Sequence, residues 1–296
     1  MLLGLCVSIG LVVTVSSAYL LQQGQAGSTG LHADRWLQLL SSLGFFLLPS
    51  LLGTFILGRS LPEGLQLRRP VAGAYSQAFL VGVVMIPASG FLLLLNGLIP
   101  LPAWASALEA AAAEKTLELL GTKSAGTMLL NLLVVALVPA IAEECFFRGV
   151  LQQALVRLCR SVGVGVWLGA AFFSLIHLQF GGFIPRLWMG AILGYVVYWS
   201  RSLWPAVLIH FLNNAVGVVS YYVLTLTHHV ELVEVEKDWP NWLGAGFCFL
   251  LTSWLLLRWK RHHDSTGSHK AVPATSQFKH EQSGDKPWND ICKQHY

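Results

Sequence analysis

The chain has 296 residues, of which 54% are hydrophobic and only 11% charged, with a mean hydropathy of +0.59. About a quarter of the residues of a soluble domain are charged, so this composition excludes an ordinary soluble domain and places the chain among polytopic helical membrane proteins. The net charge of +4 does not point to nucleic acid, because residues 258–296 alone carry seven Lys and Arg against four Asp and Glu, and no basic block with interleaved aromatics occurs.

Apolar segments mark eight expected spans, roughly 2–21, 36–58, 74–98, 126–147, 162–180, 184–200, 203–225 and 241–258. The fold class they predict is all-α, a polytopic membrane bundle of about eight transmembrane helices. The first segment lacks a basic n-region and a clean cleavage site, so it is expected to stay as an uncleaved span. Between the third and fourth, WASALEAAAAEKTLELL sets charged residues among apolar ones at helical spacing and predicts an amphipathic helix at the membrane interface, a possible guide for substrate. Basic residues concentrate in even-numbered loops (Arg59, Arg68 and Arg69; Arg157 and Arg160; Arg201) and at the start of the tail. The positive-inside rule therefore predicts both termini in the cytoplasm. The short loops suggest a bacterial cytoplasmic membrane. Three regions follow: N-terminal helices with the interfacial helix over 1–125, a membrane core with the last span over 126–258, and a polar tail over 259–296 expected to be disordered. Cys292 is fifth from the end, so the tail is not itself a prenylation signal. The five cysteines (Cys6, Cys145, Cys159, Cys248, Cys292) have neither metal-ligand nor disulfide spacing and read as apolar fillers.

Ionisable groups at membrane depth are costly and usually mark function. Those inside the expected spans are Glu143, Glu144, Arg148, His177 and His210, with Asn131, Asn213 and Asn214 as neutral polar residues. Glu144 and Arg148 are one helical turn apart and can pair. Glu143 is turned about 100° away and has no such partner in its own helix. Pro139 frees the carbonyl of Val135 and predicts a bend that opens the helix beside the pair. His177 closes FFSLIH, and His210 shares a helical face with Asn214. With so few polar groups in the spans, mutual satisfaction predicts that these clusters meet.

Glu143-Glu144-x-x-x-Arg148, then Phe173-x-x-x-His177, then His210-x-x-x-Asn214 resembles the three motifs of the CPBP family of intramembrane endopeptidases, which includes the CaaX proteases and bacteriocin-processing enzymes (the Abi family). The resemblance covers about 126–225 and implies a CaaX-protease-like core acting on a peptide or lipidated substrate held in the bilayer. It further implies that Glu143 is the general base on a water that His177 helps hold, that His210 and Asn214 form an oxyanion hole, and that Arg148 secures Glu144. Amide hydrolysis needs an activated water and donors aimed at the developing oxyanion, and no Ser or Cys stands in a recognisable nucleophile setting. No cofactor is expected. Three other readings stay open: a zinc peptidase with Glu143, His177 and His210 as ligands, a non-catalytic scaffold or immunity factor of the same fold, and a proton-coupled transporter.

Overall fold

The computed structural model describes residues 30–56, 58–227 and 242–265, and every regular element among them is helical. In chain order, α1 runs without a break through Gly30–Ser41, a π-helical stretch Ser42–Leu47 and Leu48–Ile56. It is followed by α2 (Ala74–Gly97), α3 (Ala103–Leu120), the long α4 (Ala125–Cys159), α5 (Val162–Leu175), α6 (Phe183–Ser200), α7 (Trp204–Leu226) and α8 (Trp242–Ser265). Six of the described helices are long and apolar enough to cross a membrane, and α5, at 14 residues, is a shorter apolar helix. The expected span over 2–21 and the acidic loop before α8 lie outside the described residues.

Two prolines shape the long helices. Pro49 and Pro139 lack the N–H that a helix needs at those positions. In each case a π-helical stretch ends just before the proline. The Leu48 N–H reaches back to the Leu43 carbonyl, and the Val138 N–H to the Leu133 carbonyl. The interruption predicted at Val135 is thus absorbed as a wider turn, Leu132–Leu137, and α4 stays continuous.

Hydroxyls set two helix starts: Ser124 Oγ accepts from the Thr127 N–H at the head of α4, and Ser161 Oγ from the Val164 N–H at the head of α5, each satisfying an N–H with no partner inside the helix. Between α4 and α5, Arg160 adopts a left-handed conformation (φ 53°) and reverses the chain. The two helices then pack so closely that a Cβ added at Gly165 would lie 2.7 Å from the Val156 backbone nitrogen.

The core joins Ala78, Val81 and Met85 of α2, Phe146 and Phe147 of α4, Phe173 of α5, Leu193 and Val196 of α6 and Ile209 of α7. Outward-facing side chains are large and apolar, Phe55, Leu243 and Phe247 among them, as lipid contact requires. The composition change after Arg258 falls inside α8, where Trp259 and His263 are buried and His263 packs on the Tyr198 ring. That stretch is therefore packed helix, and residues 266–296 lie outside the described residues.

The predicted interfacial segment forms α3. It buries Ala105 and Leu120 and is tied to the head of α1, where Lys115 pairs with Asp34 at 3.2 Å. A buried knot lies beside this pair: Arg35 Nε donates to Asn131 Oδ1 at 2.8 Å, and Asn131 Nδ2 to the Leu119 carbonyl at 3.1 Å. Asn131, singled out in the sequence as an intramembrane polar residue, joins α1, α3 and α4.

Candidate active site

The turn Val138–Phe146 of α4 carries Glu143 and Glu144, both buried, the second completely. Glu144 Oε1 accepts from Arg148 Nη1 at 2.7 Å, as the one-turn spacing predicts, and also from His210 Nδ1 at 2.9 Å. Arg148, 2% exposed, donates its other terminal nitrogen to the Gly190 carbonyl of α6 at 2.9 Å. Gln152, one turn further along α4, donates to the Gly194 carbonyl at 3.1 Å. These paired donors and glycine carbonyls form a two-rung ladder between α4 and α6. A Cβ at Gly194 would stand 2.6 Å from Gln152 Oε1 and 2.9 Å from Val166 Cγ1, so a larger residue there would push the Gln152 amide out of its present place on the second rung.

His210 lies between the two carboxylates. Its Nδ1 is committed to Glu144, and its Nε2 faces Glu143 Oε2 at 3.8 Å. Glu143 Oε2 has no hydrogen-bond partner although it is buried, and neither has Glu144 Oε2. Buried oxygens without donors are uncommon in native structures and call for an explanation.

Phe173, fully buried at the end of α5, is the hub around which the cluster is arranged. The Arg148 guanidinium lies 4.9 Å from its ring centroid, and the His177 and His210 rings lie 5.1 and 5.6 Å away. Just past α5, His177 Nδ1 is 2.8 Å from the Phe173 carbonyl. A carbonyl only accepts, so Nδ1 carries the hydrogen and the neutral ring keeps a lone pair at Nε2. Leu178 then takes φ 53°, unusual for a branched side chain, and turns the chain out of the helix with His177 exposed at its end.

The structure thus brings Glu143, Glu144, Arg148 and His210 together directly and holds His177 against the same phenylalanine. Asn214 is half-buried, one turn from His210, and its Oδ1 accepts from Asn213 Nδ2 at 3.4 Å. Sequence reasoning gave Glu144 a single partner and missed His210. It also missed the ladder, although the matched spacing of Arg148 and Gln152 with Gly190 and Gly194 was there to be read. Among the described residues no three His, Cys, Asp or Glu side chains are grouped to hold a metal ion.

No curated protein and no solved structure matches the chain. Residues 125–216 match the family model of Rce1-like type II CAAX prenyl endopeptidases, a stretch that contains Glu143, Glu144, Arg148, Phe173, His177, His210 and Asn214. That match agrees with the CPBP resemblance of the three motifs and supports a peptidase, and the six long apolar helices make the chain a multi-pass membrane protein.

Proposed function

We propose that the chain hydrolyses a peptide bond of a membrane-held substrate with a water activated by Glu143. One observation carries this reading: Arg148 and His210 both bind Glu144 through its Oε1, whereas the Glu143 Oε2 that faces His210 Nε2 at 3.8 Å accepts no hydrogen bond. Glu143 removes a proton from the water as its oxygen bonds to the scissile carbonyl carbon. The resulting oxyanion is held by His210 Nε2 and the Asn214 amide. For that donation His210 carries hydrogen on both nitrogens, its Nδ1–H on Glu144 fixing the ring, much as a buried carboxylate orients the histidine of a serine protease. The C–N bond then breaks, and Glu143 returns the proton to the leaving amine. His177 holds the water through the lone pair of Nε2. No metal takes part in this scheme.

The substrate is a lipidated or leader-type peptide reaching the site from the bilayer. The basic loops favour a protein with both termini in the cytoplasm, and the short loops a bacterial cytoplasmic membrane. The test is cleavage of such peptides by purified protein in detergent, wild type beside Glu143→Gln. Hydrolysis by the wild type and none by the folded variant supports the mechanism, and an active variant removes Glu143 from it.

A further inference from the structure

Helix α5 stops at Leu175, two residues short of His177, and α6 starts only at Phe183. Non-helical backbone in a membrane bundle leaves N–H and C=O groups that lipid cannot satisfy, so other parts of the protein must. Here the partners are side chains from three different helices. Asn96, 3% exposed in the last turn of α2, donates from Nδ2 to the Phe180 carbonyl at 3.0 Å and accepts at Oδ1 from the Ile184 N–H at 2.8 Å. Glu109 of α3 accepts from the Gly181 N–H at 2.8 Å. Ser174 of α5 donates to the Phe183 carbonyl at 2.8 Å. The Ile184 N–H belongs to the first turn of α6, where the helix itself offers no acceptor. Asn96 therefore caps α6 and ties down the linker with one amide.

Packing reinforces these bonds. A Cβ at Gly181 would stand 3.1 Å from Glu109 Oε2, so the carboxylate lies directly against the linker backbone. Trp104 of α3 packs edge-on against Phe180, with ring centroids 5.3 Å apart. The Glu109 charge also acts on Arg186, and Arg186 donates to the side-chain and backbone oxygens of Gln179. The same carboxylate thus steadies the linker at a second point. Through Trp104 and Glu109 α3 is fastened to the linker, and through Lys115 it is fastened to α1.

His177 itself is held far less. Its side chain is exposed, and its Nδ1 on the Phe173 carbonyl is the one hydrogen bond the ring makes among the described residues. Its backbone lies beyond the last residue of α5, so the direction of the ring depends on the linker that follows. A displacement of about 1 Å at a reacting site can cost about 10²-fold in rate. Resting on the peptidase reading above, we infer that Asn96 and Glu109 are positioning residues, which hold the linker so that His177 keeps Nε2 aimed at the water. This gives α3 a part in the reaction, exerted through Gly181.

Two readouts test this, one of them independent of turnover. Histidine labelled with ¹⁵N in the full chain in detergent reports the His177 tautomer by NMR, and His177→Gln identifies its signal. Wild-type protein should show the Nδ1–H form that the Phe173 carbonyl selects. Asn96→Leu and Glu109→Ala should shift it towards the Nε2–H form that free imidazole favours. Both should also lower kcat on a cleaved peptide about 10- to 100-fold, with KM within about twofold. Glu109→Gln, which keeps an acceptor for the Gly181 N–H, should restore both readouts. Glu109 is half-buried, so its two variants decide the matter even where Asn96→Leu does not fold. Ser202→Ala is the control: Ser202 Oγ donates to the Arg68 carbonyl at 2.6 Å in the linker between α6 and α7, and its loss should move neither readout. A His177 signal unchanged in Asn96→Leu and Glu109→Ala overturns the inference, as does a shift that Ser202→Ala reproduces or one that leaves kcat intact. A loss confined to KM also overturns it, and so does Glu109→Gln no better than Glu109→Ala, which would assign the effect to the charge beside Arg186. A chain that shows the expected tautomers but cleaves no peptide would refute the peptidase mechanism and leave the hold on His177 standing.

Discussion

Replacing Arg148 with methionine tests whether the buried Glu144 ion pair holds the site together. The exchange keeps most of the volume. It removes the cation 2.7 Å from Glu144 and the contact over the Phe173 ring. Glu144 is fully buried, and its Oε2 already lacks a donor, so the single change leaves a buried anion supported by His210 alone. Breaking a buried pair from one side costs about 3–5 kcal/mol, and that is the expected loss. The double variant Glu144→Gln, Arg148→Met removes both charges, and its amide oxygen still accepts from His210 Nδ1. It should recover most of the loss, to within about 1–2 kcal/mol of wild type. Arg68→Gln is the surface control, since its partner Glu63 lies 3.4 Å away with both side chains more than half exposed; it should cost less than about 1 kcal/mol. Reversible unfolding in mixed detergent micelles, followed by circular dichroism, measures all three. A single variant no less stable than the double variant would refute the claim that Glu144 is charged and depends on Arg148.

Asn214→Ala should lower kcat by about 10²-fold with little change in KM, as expected for a donor engaged only in the transition state; a change confined to KM would remove it from the oxyanion site. Incubation with a metal chelator should leave peptide cleavage intact, and loss restored by Zn²⁺ would revive the zinc reading. Gly165→Ala should lower stability by about 1–3 kcal/mol, because the new methyl meets backbone atoms of Val156 at 2.7 and 2.8 Å. Gly217→Ala, in open space within α7, should instead be neutral or stabilising by up to about 1 kcal/mol; the two melting temperatures in detergent check both.

What the sequence made legible follows from local geometry. The Glu144–Arg148 contact needs only a helical turn, and the apolar segments needed only their length and hydropathy. The link between His210 and Glu144 spans 66 positions and depends on which face of α7 meets α4. Asn214 shares a face with His210 and drew attention to that pair instead. The end of α5 was misjudged for a different reason. Apolar character continues through Ile176 and Leu178, yet the helix ends at Leu175 and Leu178 turns left-handed, a backbone event that hydropathy cannot register.

The π-helical stretches of α4 bear on how such a site is made. Two of them flank the glutamate turn, Leu132–Leu137 before it and Phe147–Leu151 after it. The first resembles the stretch ahead of Pro49 in α1, far from any catalytic candidate in sequence, and both follow from a proline. A π turn alone therefore does not mark function here, although such turns often sit at functional sites. The second has no proline after it to account for the shift, so its register must be held by something else. Side chains supply that hold: Arg148 and Gln152 donate to the Gly190 and Gly194 carbonyls of α6, while Gln153 donates to the Gly64 carbonyl and to that of Gly149 within the π stretch itself. Arg148 thus serves two structures at once, the wider turn and the Glu144 carboxylate. A change that disturbs the ladder should reach Glu144 and His210 through it, even where it touches neither glutamate.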